Sequence, residues 1–129
     1  MPLLLDTTVL IDALRGRAAR QRILDLRRSG EVPYICAVNV DELARGVRQD
    51  EHKLTRALID SLRWAPLGAD QGWRAGWWRA EFAARGVTLS QADCLVAAAA
   101  VGIGGRLATG NPHDFPMAEL VVEHWPVGD

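Results

Sequence analysis

Four acids, Asp6, Glu42, Asp93 and Asp114, stand where an α/β chain would place its chemistry. Asp6 closes the apolar run Met1-Pro-Leu-Leu-Leu, and Glu42 lies in the first turn of an amphipathic segment. Asp93 follows Ser90 at the head of an alanine-rich segment, and Asp114 falls in the loop Thr109-Gly-Asn-Pro-His-Asp-Phe115. Carboxylates a few ångströms apart repel, so such a cluster either holds protons above the ordinary carboxylate range or binds a divalent cation. Hard oxygen donors select Mg²⁺ or Mn²⁺. Rival nucleophiles are missing: Cys36 and Cys94 sit among apolar neighbours without the paired spacing of a zinc site or a disulfide framework. His52, His113 and His124 are scattered; only His113 falls near the acids, where a solvated loop role suits it better than ligation.

Each acid also has a purely structural role open to it. Asp6 can cap the following helix, Glu42 can pair with Arg45, Asp93 fits a capping box with Ser90, and Asp114 suits a turn. Four separate accidents would then have to share one edge of the fold, and the joint reading explains that better.

The elements that must position these acids alternate between short apolar runs and helical periods. The run ending at Asp6 reads as a buried parallel strand, followed by a helix through Val9, Leu10, Ala13 and Leu14, capped by Thr7 or Thr8 and stopped by Gly16. Ala18 to Ser29 is a second helix with Ile23, Leu24 and Leu26 turned inward, and Val32 to Ala37 a second strand. Val40, Leu43, Ala44 and Val47 mark a third helix capped by Asn39. Asp50 to Leu62 is amphipathic, with Leu54, Leu58, Ile59 and Leu62 on one face; Trp64 to Leu67 is a brief strand or link. A long helix from Asp70 to Arg85 ends at Gly86, and the next runs from Ser90 to the glycines at 102, 104 and 105. Arg106 to Thr109 is a strand, Gly110 to Pro116 a loop, and Leu120 to His124 the last strand. This order predicts one α/β domain over residues 1–129, a mostly parallel central sheet flanked by helices. In such sheets ligands bind beyond the carboxyl ends of the strands, where all four acids fall.

A chain of 129 residues is long enough for one well-buried core, and no apolar run approaches the ~20 residues that span a bilayer. With no signal-peptide pattern after Met1, the expected location is the cytosol. The net charge of −1 excludes binding to nucleic acid through overall basicity. Charge is unevenly spread, however: six arginines lie between Arg15 and Arg28, whereas the segment after Asn111 contains acids and neither Lys nor Arg. The basic shoulder reads equally as a phosphate-binding surface or as a solvated helix face. Trp73, Trp77 and Trp78 cannot all share a helical face; Trp73 and Trp77 suit core or a subunit interface better than base stacking.

Four blocks together carry a family resemblance. Leu5-Asp-Thr-Thr-Val-Leu-Ile11, Asp41-Glu-Leu-Ala-Arg-Gly46, Ala92-Asp-Cys-Leu-Val-Ala-Ala98 and Leu107-Ala-Thr-Gly-Asn-Pro-His-Asp-Phe115 resemble, in order, the acidic motifs of PIN domains, and within them the VapC toxins of toxin–antitoxin pairs. The resemblance implies a PIN-like fold and a Mg²⁺- or Mn²⁺-dependent endoribonuclease that leaves 5′-phosphate and 3′-hydroxyl ends. Asp6, Glu42, Asp93 and Asp114 would be its metal ligands, with Thr7, Thr109 and Asn111 as supporting polar residues. It also implies RNA as substrate, a small antitoxin as partner and a homodimer. One departure stands out: a Ser or Thr often precedes the helical Glu by three residues, and here Asn39 takes that place.

Competing classes fare worse. A phosphorelay receiver needs a lysine at a late strand end, and the one lysine is Lys53 on a surface-type helix. A haloacid-dehalogenase-type phosphatase wants an Asp two residues after Asp6, where Thr8 stands. A non-catalytic PIN module that only binds a partner would be expected to have lost acids, and all four remain.

Overall fold

In a computed structural model, which describes residues 1–128, five parallel strands form one sheet in the order β3-β2-β1-β4-β5. The strands are β1 (Leu3–Leu5), β2 (Tyr34–Ile35), β3 (Arg63–Trp64), β4 (Arg106–Thr109) and β5 (Val121–His124). The helices are α1 (Thr7–Leu14), α2 (Ala18–Arg28), α3 (Ala37–Gly46), α4 (His52–Asp60), α5 (Ala69–Ala83) and α6 (Gln91–Gly102). The sheet is fully parallel, a stricter form of the expected architecture.

Strand alternation sorts the core into two layers. Leu4 and Leu107 face α5 and α6, with Trp78, Phe82 and Cys94, while Leu3, Leu5 and Ala108 face α1, α2 and α4, with Leu10, Ile23 and Ile59. Ala97 to Ala100 are all buried, and their small side chains let α6 lie close between the sheet and α5. Both cysteines are buried and free, as their neighbours predicted.

Several boundaries differ from expectation. The third helix begins at Ala37 with Cys36 at its N-cap, so Asn39 is not the cap and Glu42 lies beyond the first turn. The Asn39 side chain instead reaches back and accepts from the Cys36 N–H at 2.8 Å, satisfying the helix start from within. The strand expected over Val32 to Ala37 is ordered as strand only at Tyr34–Ile35, because Cys36 has already turned into that helix start. The segment from Asp50 splits into a 3₁₀ turn, Gln49–Glu51, and α4; the loop from Gly110 likewise contains a 3₁₀ turn, Pro112–Asp114. Leu24 and Leu54 face out, 42% and 53% exposed. Ala19 and Ile23 set the inward stripe of α2, and Thr55 and Ile59 that of α4; a residue one position along lies 100° away.

Candidate active site

The sequence places Asp6 directly after β1, where the chain must leave the sheet and open α1. Its carboxylate caps that helix by accepting from the Thr7 N–H at 2.9 Å. It also accepts the Thr109 hydroxyl at 2.7 Å and the Thr8 hydroxyl at 3.2 Å. Helix α3 brings Glu42 alongside, where the Thr7 hydroxyl donates to it at 2.7 Å. Thr7 in turn accepts from the Asn39 side chain at 3.1 Å, completing a relay from the Cys36 N–H through Asn39 and Thr7 to Glu42. The alternative Glu42–Arg45 pair is not formed among the described residues.

The other two acids are held more loosely. Asp93 lies in the first turn of α6, its N–H donating to the Ser90 hydroxyl at 3.0 Å. Asp114 closes the 3₁₀ turn after β4, and His113 Nε2 lies 3.3 Å from its carboxylate. The His113 side chain is otherwise open to solvent. Asn111 joins the group through its backbone, whose N–H donates to the Thr109 hydroxyl at 3.0 Å.

Two of the acids are influenced by the charges of the others. Burial raises the Asp6 carboxyl above the ordinary 3.8; its three donors oppose the rise, and the charge of Glu42 adds to it. Asp93 is also raised, first by burial and then by Asp6, Asp114 and Glu42, with Ser90 opposing. One carboxyl therefore senses the other three.

The donors suit a hard divalent ion: all are oxygens, and among the described residues Asp6, Glu42 and Asp93 pair with no Lys, Arg or His. Asp6 has about four lone-pair sites and three donors, which leaves it room to ligate. As they lie, no three of the acids among the described residues are close enough to cage an ion.

Two supports had no clear signal in the sequence. Thr8, which donates to Asp6, accepts the Gly110 N–H at 3.1 Å and so ties the loop after β4 to the start of α1. Asp12, buried in mid-helix, accepts from the Ala19 N–H at 3.1 Å and the Gly128 N–H at 3.0 Å, fixing the start of α2 and the C-terminal segment. That segment lies so close to Gly110 that a Cβ there would meet Val127 at 2.7 Å. The only hint was an acid set among Ile11, Ala13 and Leu14.

A fully parallel sheet flanked by helices, with acids at its carboxyl edge, is an architecture that places ligand sites at that edge. Residues 3–117 match the PIN domain, and the chain belongs to the PIN-domain family. It is 30% identical over 115 residues to Ribonuclease VapC19 of Mycobacterium tuberculosis, covering 88% of this chain and 92% of that one. Ribonuclease VapC10 of the same organism is 34% identical over 118 residues, with 91% and 88% covered. The fold is similar to that of DNA-bound VapBC from Salmonella typhimurium, with a TM-score of 0.83, 20% identity, and 97% and 98% of the two chains covered.

Proposed function

We propose that the chain is the toxin of a toxin–antitoxin pair, an endoribonuclease acting as one catalytic unit over residues 1–129. The mutual influence of the four carboxylates, three of them without a basic partner among the described residues, carries this reading, and the names of the VapC relatives support it. Mg²⁺, with Mn²⁺ as substitute, would be held by Asp6, Glu42, Asp93 and Asp114, and would supply Lewis-acid polarisation of the phosphate and a more acidic water. The chain's own contribution is placement. Thr7, Thr8 and Thr109 fix the orientation of Asp6 and Glu42, and Asn39 fixes Thr7. Asn111 steadies Thr109. Hydrolysis leaves a 5′-phosphate and a 3′-hydroxyl.

Two surfaces suit the expected partners. An apolar groove of about 450 Å³ runs between α2 and α4, bordered by Leu24, Leu54 and Leu58, and accounts for both outward leucines. Leu14 lines both that groove and the small cavity beside Glu42, so an antitoxin segment laid there would reach the acids. On the opposite layer, Trp73 and Trp77 are 76% and 61% exposed while Trp78 is buried, and this exposed aromatic face of α5 supports the reading that a second copy docks there in a homodimer. No helix among the described residues is long and apolar enough to cross a membrane, and the proposed place of action is the cytosol, where the RNA substrate is found.

The test is sequencing of RNA 5′ ends after induced expression of the native chain and of Asp6→Asn, with and without the small open reading frame encoded beside it. New 5′-phosphate ends and growth arrest with the native chain alone are expected. Cleavage without arrest would make it a non-toxin RNA-processing nuclease; no cleavage, with a partner still co-purifying, would make it a binding module.

A further inference from the structure

The six arginines between Arg15 and Arg28 do not act as one patch. Arg20 donates to the Ala13 and Leu14 carbonyls at the end of α1, at 3.0 and 3.2 Å, and Arg27 to the Ser61 carbonyl at the end of α4, at 3.2 Å. Arg22 lies 5.4 Å from the centre of the Trp125 ring, and Arg28 is 3.9 Å from Asp25. Arg17 is also engaged. These contacts serve the fold: they cap helix ends, cover an aromatic ring or pair within one helix.

Arg15 is different. It ends α1, exposed, and among the described residues its guanidinium makes no hydrogen bond or ion pair. It lines a small cavity of about 60 Å³ together with Glu42 and Glu51, over a floor that includes Leu14, Leu43 and Val47. Neither acid claims it: Glu42 takes the Thr7 hydroxyl, and Glu51 the Arg48 N–H at 2.9 Å. A guanidinium and a carboxylate that share a cavity without bridging are both left open to a third group. At the edge of an acidic site, an anion can approach Arg15 directly.

We infer that Arg15 is a substrate-binding residue that holds an RNA phosphate next to the scissile one, on the Glu42 side of the cleft. The inference rests on the ribonuclease reading above. The planar fork of the guanidinium matches two phosphate oxygens, and its charge offsets the repulsion that the carboxylates exert on the nucleic-acid backbone. The other shoulder arginines are engaged elsewhere, and Arg15 is the one that shares a cavity with Glu42.

The test measures binding of a fluorescein-labelled single-stranded RNA 12-mer of mixed sequence by anisotropy, with Ca²⁺ in place of Mg²⁺, across a salt series. Native protein, Arg15→Ala, Arg15→Lys and Arg28→Ala are compared, with thermal melts confirming that each is folded. Arg15→Ala is expected to bind about tenfold more weakly and to flatten the slope of log affinity against log salt by about 0.7, the loss of one single-strand phosphate contact. Arg15→Lys should keep the slope with part of the affinity, and Arg28→Ala should match the native protein. Native-like binding by Arg15→Ala, or an equal loss in Arg28→Ala, overturns the inference while leaving the nuclease reading intact. Loss of antitoxin co-purification with RNA binding unchanged would assign Arg15 to the protein partner and overturn it as well. Failure of the native protein both to bind this RNA and to generate new ends in cells removes the ribonuclease reading along with it.

Discussion

The two halves of the acidic site are built differently. Asp6 and Glu42 sit in a web of threonine hydroxyls and backbone N–H groups supplied by α1, α3 and β4. Asp93 and Asp114 lean only on Ser90 and on the exposed His113. Asp6 is buried at the end of β1 and Glu42 half-buried on α3, whereas Asp93 and Asp114, also half-buried, lie on a helix start and a 3₁₀ turn. On the proposed reading, the more firmly held half would set the position of the ion and the other half would complete its ligand set.

Removing the charge of Asp6, Glu42 or Asp93 should cost most, in either half. Asp6→Asn and Glu42→Gln are each expected to lower RNA cleavage by about 10³-fold or more while the protein stays folded, since several kcal/mol of cation-borne charge stabilisation is lost. Asp93→Asn should also abolish cleavage; near-native activity there would return Asp93 to a helix-capping role. Asp114→Asn should be milder, on the order of tenfold, because a carboxylate on the rim can act through water. If Asp114→Asn proved the most damaging, the division between the halves would be wrong.

The supports should rank next. Thr109→Val removes a buried hydroxyl that donates to Asp6 and accepts the Asn111 N–H. It is expected to destabilise the fold by about 2 kcal/mol, measurable by denaturant unfolding, and to lower cleavage more than that loss explains. Gly110→Ala should have a smaller effect: the new methyl displaces Val127 and loosens the Thr8 link to the loop. A Gly110→Ala protein as impaired as Thr109→Val would mean that the C-terminal segment, rather than the threonine web, fixes Asp6.

The smallest effect concerns pH. Asp6 and Asp93 are raised above 3.8 by burial, so the metal-free fold holds their protons more tightly than the unfolded chain does. The stability they contribute is complete below the unfolded value and lost as pH rises through the folded one. Thermal melts of the metal-free protein from about pH 4 to about pH 7 should therefore show a downward contribution that Asp6→Asn reduces. The stabilisation given by Mg²⁺ should grow over the same window, because ions displace those protons. A Mg²⁺-induced shift equal in the native protein and in Asp6→Asn would remove the ion from Asp6.

Much of this was legible before the fold was known, for identifiable reasons. Positive φ at Gly16 and Gly86 explains why glycine marked the ends of α1 and α5. The parallel sheet followed from apolar runs too short for helices. Where the sequence misled, a contact distant along the chain or an unusual residue was responsible. Cys36 is not a capping residue by type, so α3 seemed to start at Asn39, whose reach back to position 36 is visible only in space. Thr8 and Asp12 gain their roles from Gly110 and Gly128, more than a hundred residues away. Leu24 and Leu54 looked like core because neighbouring leucines were, and their exposure is what marks the groove.

Whether these four carboxylates bind a divalent ion to cut RNA is decided by a single assay. Purified native protein and Asp6→Asn, each freed of metal and then given Mg²⁺ or chelator, would be incubated with total cellular RNA and the new ends sequenced. Cleavage at defined sites is expected from the native protein with Mg²⁺ or Mn²⁺ and not in chelator, and none is expected from Asp6→Asn under any condition. Cleavage that persists in chelator, or that survives in Asp6→Asn, would contradict the metal-dependent reading.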